Sequence, residues 1–142
     1  MKRLILTVGL PRSGKTTWAR EQGLPIVNPD SIRLALHGQR FATNAEPFVW
    51  ASAKLMVRAL FLAGHDLVIL DATNVSVKRR TEWFNPAEWA CYFKVFDTPA
   101  QVCRERASVE GDEAIVSVID RMAKEFQPLG INDMIWEPGK RF

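Results

Sequence analysis

The sequence is poor in cysteine and histidine, with two residues of each among 142. Cys91 and Cys103 are too far apart for a Cys-x-x-Cys pair. Two thiols are also too few for the disulfide framework of a small secreted protein, so we expect both to be reduced, in a cytoplasmic protein. No spacing of His, Cys, Asp and Glu is typical of a zinc site, and the sequence gives no support to transition-metal catalysis.

Long apolar runs are also lacking. Residues 4–8 are apolar apart from one threonine and follow Met1-Lys2-Arg3 in the manner of a signal peptide, but the run ends at Gly9 and no cleavage site follows. No stretch approaches the ~18 to 20 apolar residues that cross a bilayer. We therefore expect a soluble protein that is not inserted in a membrane.

Neither sign of charge dominates. Nineteen Lys and Arg residues against 16 Asp and Glu give a net charge of +3, which is compatible with an anionic substrate but far below that of a polybasic binding protein. The composition, 47% hydrophobic and 25% charged, is typical of a globular domain. Since no linker, repeat or low-complexity tract divides the chain, we predict one domain over residues 1–142.

Apolar segments alternate with helical ones along the chain. The predicted strands cover residues 4–8, 25–28, 68–70 and 92–96, and the predicted helices cover residues 15–22, 31–36, 47–62, 77–89, 100–107 and 114–126. Such alternation predicts parallel βαβ units with right-handed crossovers and helices on both faces of the sheet.

The helix predicted over residues 47–62 has clear boundaries, with Pro47 in its first turn and Gly64 just past its end. The longest internal loop, residues 38–46, precedes it and is long enough to carry function. We expect the apolar residues of this helix to pack in the core rather than to contact a cofactor. These residues are Trp50, Ala53, Leu55, Met56, Val57, Leu60 and Phe61.

Residues 9–16, Gly-Leu-Pro-Arg-Ser-Gly-Lys-Thr, fit the P-loop pattern and lie between an apolar strand and a helical segment, as the pattern requires. In such a loop, backbone N–H groups enclose phosphate oxygens and the following helix points its positive end at the same anion. We expect Lys15 to reach the β and γ phosphates of a nucleoside triphosphate and the Thr16 hydroxyl to ligate Mg²⁺. The other residues expected at the nucleotide are Gly9, Pro11, Arg12, Ser13, Gly14 and Thr17.

Two aspartates are expected at the carboxyl edge of the sheet, where open parallel sheets bind ligands. Asp71 follows the strand at residues 68–70 and either holds Mg²⁺ or its waters, or simply ends the strand. Asp30 precedes a helix and is either its N-cap or a base that accepts the proton of an attacking hydroxyl. Arg33, one turn further on, either faces a phosphate of the acceptor or lies on the surface.

Arg104 and Arg106 lie near the end of a predicted helix, before a turn-like segment. We predict a lid at about residues 104–114. Arginine brought over the triphosphate would stabilise the transferring group, and closure would exclude water. The alternative is that both arginines lie on a solvated helix face.

Residues 6–20 resemble the opening of the P-loop predicted kinases, the family of the 5′-kinase domain of T-even phage polynucleotide kinase. Asp30-Ser31-Ile32-Arg33 is similar to the Asp-x-x-Arg motif of that family, and Asp71-Ala72-Thr73-Asn74 to its Asp-Thr-Asn block. Residues 94–97 are similar to its fourth strand and the exit from it. The resemblance covers nearly the whole chain and implies a three-layer α/β P-loop fold, with four parallel strands in the order 2-3-1-4 and a helical lid.

The resemblance also implies a function, the transfer of the γ-phosphate of ATP to a 5′-hydroxyl of DNA or RNA, with Mg²⁺ as cofactor. Single-stranded or end-exposed nucleic acid would be the acceptor. Asp30 would be the base, Arg33 would contact a phosphate of the acceptor, and Lys15 would hold the donor.

The lid departs from the pattern of this family. Arg106 corresponds to one of its lid arginines, but Glu110 stands in place of the second. Either Arg104 or Arg121 substitutes for the missing arginine, or the acceptor is a different one. The chain ends at residues 137–142 without a phosphatase motif, so 3′-phosphatase activity is not expected.

Three functions stay open. The first is a polynucleotide 5′-kinase whose basic and aromatic residues near the catalytic edge bind the acceptor strand. The second is a kinase for a small hydroxyl compound or a nucleoside, which Glu110 and the modest net charge favour. The third is a non-catalytic nucleotide-binding module that orders residues 109–113 for a partner protein. The residues assigned to the strand in the first case are Arg33, Arg40, Phe41, Arg79 and Arg80.

Overall fold

The computed structural model describes residues 1–40 and 43–138; Phe41 lies outside them. Four strands form one parallel sheet in the order β2-β3-β1-β4, as expected. Their bounds are β1 Arg3–Val8, β2 Ile26–Val27, β3 Leu67–Leu70 and β4 Ala90–Val95. β1 is central and completely buried from residue 4 to residue 8, which is why this strand is apolar at nearly every position.

Helices cover both faces of the sheet. Their bounds are α1 Lys15–Glu21, α2 Pro29–His37, α3 Glu46–Leu62, α4 Val77–Thr81, α5 Ala100–Val109 and α6 Glu113–Glu125, with a 3₁₀ helix at Thr43–Ala45. Leu4 and Leu6 pack in one core cluster with α3, whereas Ile5 packs with Ala19 of α1. Successive side chains of a strand point to opposite faces, so one cluster lies on each face of the sheet. The sheet and the helices on its two faces are the three layers of the predicted fold.

α3 has the predicted Pro47 in its first turn, and Gly64 follows it in the left-handed region with a φ of 106°. Its buried residues recur mainly at every fourth position, because only one side of the helix faces the sheet. The prediction that the whole apolar set is in the core is wrong for Leu55 and Met56, which are 67% and 42% exposed.

α4 is much shorter than the helix predicted over residues 77–89, because it ends at Thr81. The chain then turns to bury Trp83, whose backbone carbonyl accepts a 2.9 Å hydrogen bond from the Trp89 indole. Pro86 disfavours a helical conformation at the residue before it, so the segment could not continue as one helix.

Residues 134–136 lie along the outer edge of β4. Phe93 donates its backbone N–H to the carbonyl of Met134 at 2.8 Å, and its own carbonyl accepts a hydrogen bond from the backbone N–H of Trp136 at 2.8 Å.

Both cysteines are free thiols, and burial raises the pKa of Cys91 to about 11. None of the helices in the described part of the chain combines the length and apolar character that crossing a membrane requires.

Candidate functional site

The P-loop makes a sharp turn between β1 and α1. Gly14 has a φ of 103° and Arg12 a φ of 65°, both in the left-handed region. Gly9 is required for a different reason, since a Cβ there would lie 2.8 Å from Ser13 Oγ and 2.9 Å from the carbonyl oxygen of Phe96. The loop is therefore closely packed at its first glycine and strained at its tip, as expected of a backbone that must wrap around a ligand.

Lys15 is the first residue of α1 and is buried. Its Nζ donates to the carbonyl oxygen of Leu10 and to Ser13 Oγ, the latter at 3.2 Å. Desolvation lowers the pKa of Lys15 to about 8, although the nearby Asp71 carboxylate opposes this shift. A buried cation directed into the loop is the electrostatic complement of a phosphate group.

Thr16 and Asp71 bring two oxygens together at the carboxyl edge of the sheet. Thr16 Oγ1 donates to Asp71 Oδ2 at 2.8 Å, and Asn28 Nδ2 donates to the same oxygen at 3.0 Å. Hydroxyl and carboxylate oxygens are the hard ligands that Mg²⁺ prefers, and phosphate oxygens and waters would complete its coordination shell. Residues 1–40 and 43–138 contain no cluster of three His, Cys, Asp or Glu side chains that could hold a metal without such help. The residues present therefore fit a magnesium–nucleotide complex.

Asn28, and not Asp30, caps α2. The helix begins at Pro29, and the Asn28 side chain accepts a hydrogen bond from the backbone N–H of Ser31 at 3.2 Å. The interpretation of Asp30 as a cap is therefore wrong. An asparagine directly before a proline is itself a sequence signal for a helix start, and it could have identified this residue.

Asp30 instead lies in the first turn of α2, with its side chain 64% exposed. It accepts a 2.7 Å hydrogen bond from Arg33. Nε of Arg33 also donates to both carboxylate oxygens of Glu46, at 3.0 and 3.1 Å. Arg33 is thus held between two carboxylates, of which sequence reasoning identified only Asp30.

Two cavities adjoin at the P-loop. The P-loop cavity has a volume of about 560 Å³ and is lined by Arg12, Gly14, Lys15, Thr16, Thr17, Trp18, Glu21, Arg106 and Glu110. The edge cavity, of about 570 Å³, extends along the carboxyl ends of the strands, and its lining includes Pro11, Lys15, Asp30, Arg33, Asp71 and Asn74. Lys15 and Thr16 line both cavities. A donor held in one could therefore reach an acceptor held in the other, with Asp30 beside that acceptor.

The turn between α5 and α6, inside the predicted lid segment, lies against the P-loop. Arg12 forms ion pairs with Glu110 and Asp112 of this turn. Arg40 binds both carboxylate oxygens of Asp112, at 2.9 and 3.0 Å. The hydrogen bonds from Arg40 and Arg12 lower the pKa of Asp112 to about 2. One carboxylate thus joins the turn to the P-loop and to the loop after α2.

The two arginines of α5 point in different directions. Arg106 lines the P-loop cavity and donates to the backbone carbonyl of Arg12 at 3.0 Å. Arg104 forms a 2.7 Å ion pair with Asp120 of α6 and is not among the described residues that line either cavity. The charge of Arg104 is thus directed to the neighbouring helix, and its expected contact with the nucleotide stays a prediction. Arg121 lines the edge cavity.

Two further expectations need correction, one about the residues that bind the acceptor strand and one about the core. Arg80 is buried and donates to the backbone carbonyls of Asn74 and Gln127, both at 2.8 Å, so its charge is directed to the backbone and not to an acceptor strand. Trp50, expected in the core, is half-buried and lines the edge cavity together with Arg79.

Comparisons with known proteins agree with this fold. A family model described as an AAA domain matches residues 4–129. Two chains from structures of the Pnkp1/Rnl/Hen1 complex, one described as an RNA repair complex, are 23% and 31% identical over 97% and 74% of this chain, with TM-scores of 0.67 and 0.66. This chain spans only 50% and 38% of the length of those two chains.

Small-molecule kinases are also similar in structure. A sugar kinase from Janibacter sp. HTCC2649 is 19% identical with a TM-score of 0.68, over 96% of this chain and 84% of the other. The Mycobacterium tuberculosis APS kinase CysC, solved with AMPPNP and APS, is 19% identical with a TM-score of 0.64, over 99% and 90%. These similarities show that the fold is that of the P-loop kinases.

Proposed function

The chain belongs to the AAA domain family and has the P-loop kinase fold, and from this premise we propose that it is an ATP-dependent kinase for the 5′-hydroxyl of a polynucleotide. One observation carries the proposal. The Asp30–Arg33 pair lines the same cavity as Lys15, so a base and a cation of the phosphate-binding loop face one acceptor.

The donor is bound by the P-loop. Lys15 neutralises the β and γ phosphates from inside the loop, and Arg106 adds a second positive charge to the lining of the P-loop cavity. Mg²⁺ held by Thr16 and Asp71 would neutralise charge on the phosphates when the nucleotide is bound. The Asn28 amide fixes the Asp71 carboxylate for this role through its 3.0 Å hydrogen bond.

Asp30 accepts the proton of the attacking hydroxyl. The hydroxyl oxygen forms a bond to the γ-phosphorus as the bond from that phosphorus to the β–γ bridging oxygen breaks, and ADP leaves with the bridging oxygen. Arg33, 2.7 Å from Asp30, orients the carboxylate and lies where a phosphate next to the acceptor hydroxyl would bind. Because Glu46 already binds Arg33, a phosphate of the acceptor would compete with this carboxylate for the guanidinium.

Arginines of the edge cavity support a polynucleotide as the acceptor. Arg33, Arg40, Arg79 and Arg121 all line it, and a strand that carries a phosphate at each nucleotide can use several of them. The similarity to chains of an RNA repair complex points in the same direction.

A small hydroxyl compound is the second candidate acceptor. The specific observation in its favour is that Arg33 pairs with both Asp30 and Glu46, so this cluster of one guanidinium and two carboxylates is net negative and attracts a phosphate poorly. The similar sugar kinase also matches this chain over 84% of its own length, which is more than the chains of the Pnkp1/Rnl/Hen1 complex do.

A transfer assay with γ-labelled ATP, offered oligonucleotides with a 5′-hydroxyl, nucleosides and sugars in parallel, tests the proposal. We expect label on the oligonucleotides. Asp30→Asn should lower turnover by about 10² or more while ATP binding stays nearly unchanged. The matched control is Asp66→Asn, since Asp66 is exposed before β3, at the opposite edge of the sheet. Label on a sugar or nucleoside alone would overturn the polynucleotide acceptor, and no transfer to any acceptor would favour a binding module.

A further inference from the structure

The Arg79 guanidinium of α4 lies over the Trp50 ring of α3 in the wall of the edge cavity. The guanidinium carbon of Arg79 lies 4.1 Å from the centroid of the Trp50 ring, well within the range of a cation–π contact. Both residues line the cavity. We call this pair the Trp50–Arg79 shelf.

Contacts with neighbouring residues hold both members of the shelf in place. The fully buried Trp83 meets the Trp50 ring edge-on, with centroids 6.4 Å apart and planes at 66°. The Arg79 guanidinium forms a 3.1 Å ion pair with Glu82, one turn along. The Arg79 backbone N–H donates to the Ser76 hydroxyl that caps α4. A flat surface held this way loses little conformational entropy when a ligand binds.

The shelf is also close to Asp30, the proposed catalytic base. The Arg33 guanidinium carbon lies 5.9 Å from the same Trp50 ring, and Arg33 binds Asp30 at 2.7 Å. In a nucleotide the sugar separates the 5′-hydroxyl from the nucleobase. An acceptor with its hydroxyl at Asp30 and its sugar beside Arg33 can therefore place its nucleobase against the shelf, which lines the same cavity.

We propose that the base of the acceptor's terminal nucleotide stacks on the Trp50–Arg79 shelf. This inference rests on the proposed function and assigns the residues that recognise the acceptor. A guanidinium plane already stacked on an aromatic ring offers its outer face to a second flat group, and proteins use such planes to bind unpaired bases. Because every base has a π-face, the shelf accepts any base at the 5′ end.

The test compares two oligonucleotides that differ only in the 5′-terminal nucleotide, which either carries its base or is abasic. For the wild-type protein the KM for the abasic acceptor should be roughly 5- to 150-fold higher, the loss expected for one stacked base. In Arg79→Ala this KM ratio should fall to about 1. Arg79→Lys keeps the charge but lacks the plane, so its ratio should fall as well. The matched control is Arg58→Ala, which removes an exposed arginine paired with Glu88, and its ratio should equal that of the wild type.

The outcomes separate the two proposals. Transfer to both oligonucleotides with equal KM in the wild type, or an Arg79→Ala ratio as high as that of the wild type, overturns the shelf and leaves the polynucleotide kinase standing. An unchanged ratio in Arg79→Lys means that charge alone is recognised, which also overturns base stacking. Failure to phosphorylate either oligonucleotide, with transfer to a sugar, overturns the proposed function and the shelf with it.

Discussion

Asp112, in the turn between α5 and α6, accepts a 2.7 Å hydrogen bond from Arg12 at the tip of the P-loop. The same carboxylate binds Arg40 in the loop after α2. This contact connects the turn between α5 and α6 to the phosphate-binding loop. An incoming triphosphate would meet a guanidinium that already has anionic partners.

Asp112 makes the stability of the fold sensitive to acid. Its two guanidinium partners lower its pKa from 3.8 to about 2, so the folded state binds a proton less readily than the unfolded state does. The stabilisation is complete above pH 4 and is lost as the pH falls towards 2. We expect Asp112→Asn to lower the free energy of unfolding by roughly 1 kcal/mol at pH 7, and the difference from the wild type to shrink below pH 4. Urea unfolding at a series of pH values measures both, and a difference independent of pH would contradict this role.

Lys15 is expected to stabilise bound phosphate and to destabilise the fold. Burial lowers the pKa of Lys15 from 10.5 to about 8, so at pH 7 the folded protein holds a charge that is better solvated in the unfolded chain. Lys15→Met should raise the free energy of unfolding by roughly 1 to 3 kcal/mol and lower phosphoryl transfer by about 10² or more.

The pH dependence distinguishes this cause from a simple packing effect. Between pH 8 and pH 10.5 the unfolded state binds more protons at Lys15 than the folded state does, so the wild type gains stability as the pH rises. The advantage of Lys15→Met should narrow over that range. A constant advantage in thermal unfolding from pH 7 to pH 10 would contradict desolvation as the cause.

Gly9 and Gly130 form a matched pair of glycines for alanine substitution. A Cβ at Gly9 would lie 2.8 Å from Ser13 Oγ and 2.9 Å from the Phe96 carbonyl oxygen, whereas at Gly130 the nearest atom is 3.6 Å away. Gly9→Ala should cost roughly 1 to 3 kcal/mol of stability and raise the KM for ATP, because the loop must shift to admit the methyl group. Gly130→Ala should change stability by less than about 0.5 kcal/mol. Equal effects of the two substitutions would show that the close packing of Gly9 is not the cause.

The sheet could be predicted because its signals are local. Residues 4–8 of β1 are buried in a sheet that helices cover on both faces, so all of them except Thr7 are apolar, and glycines with fixed spacing mark the turn after the strand. The order of the strands came from a resemblance to a family and was confirmed. The length of α4 was not predicted, because the tertiary burial of Trp83 competes with helical periodicity after Thr81.

The contacts of the site were harder to predict, since they join residues distant in sequence. Nothing near Arg104 in sequence shows that Asp120 takes its charge, or that Asp112 pairs with Arg12. Trp50 lies on a mostly apolar helix, which predicts a core residue, but its ring reaches the cavity wall, where Arg79 stacks on it. Asn28 is the exception, since its position before Pro29 is a recognisable helix start.

Glu110 should oppose nucleotide binding. It lines the P-loop cavity and forms an ion pair with Arg12, so its carboxylate both repels a triphosphate and occupies a cation that the phosphates could use. We expect Glu110→Gln to lower the KM for ATP by roughly 2- to 5-fold and Glu110→Arg to lower it further, with smaller differences at high salt, where exposed charges are screened. Glu113→Gln is the matched control, because Glu113 is exposed in the first turn of α6 and is not among the residues that line the P-loop cavity. A higher KM in Glu110→Gln, with Glu113→Gln unchanged, would instead mean that Glu110 holds Arg12 in the position that binds ATP.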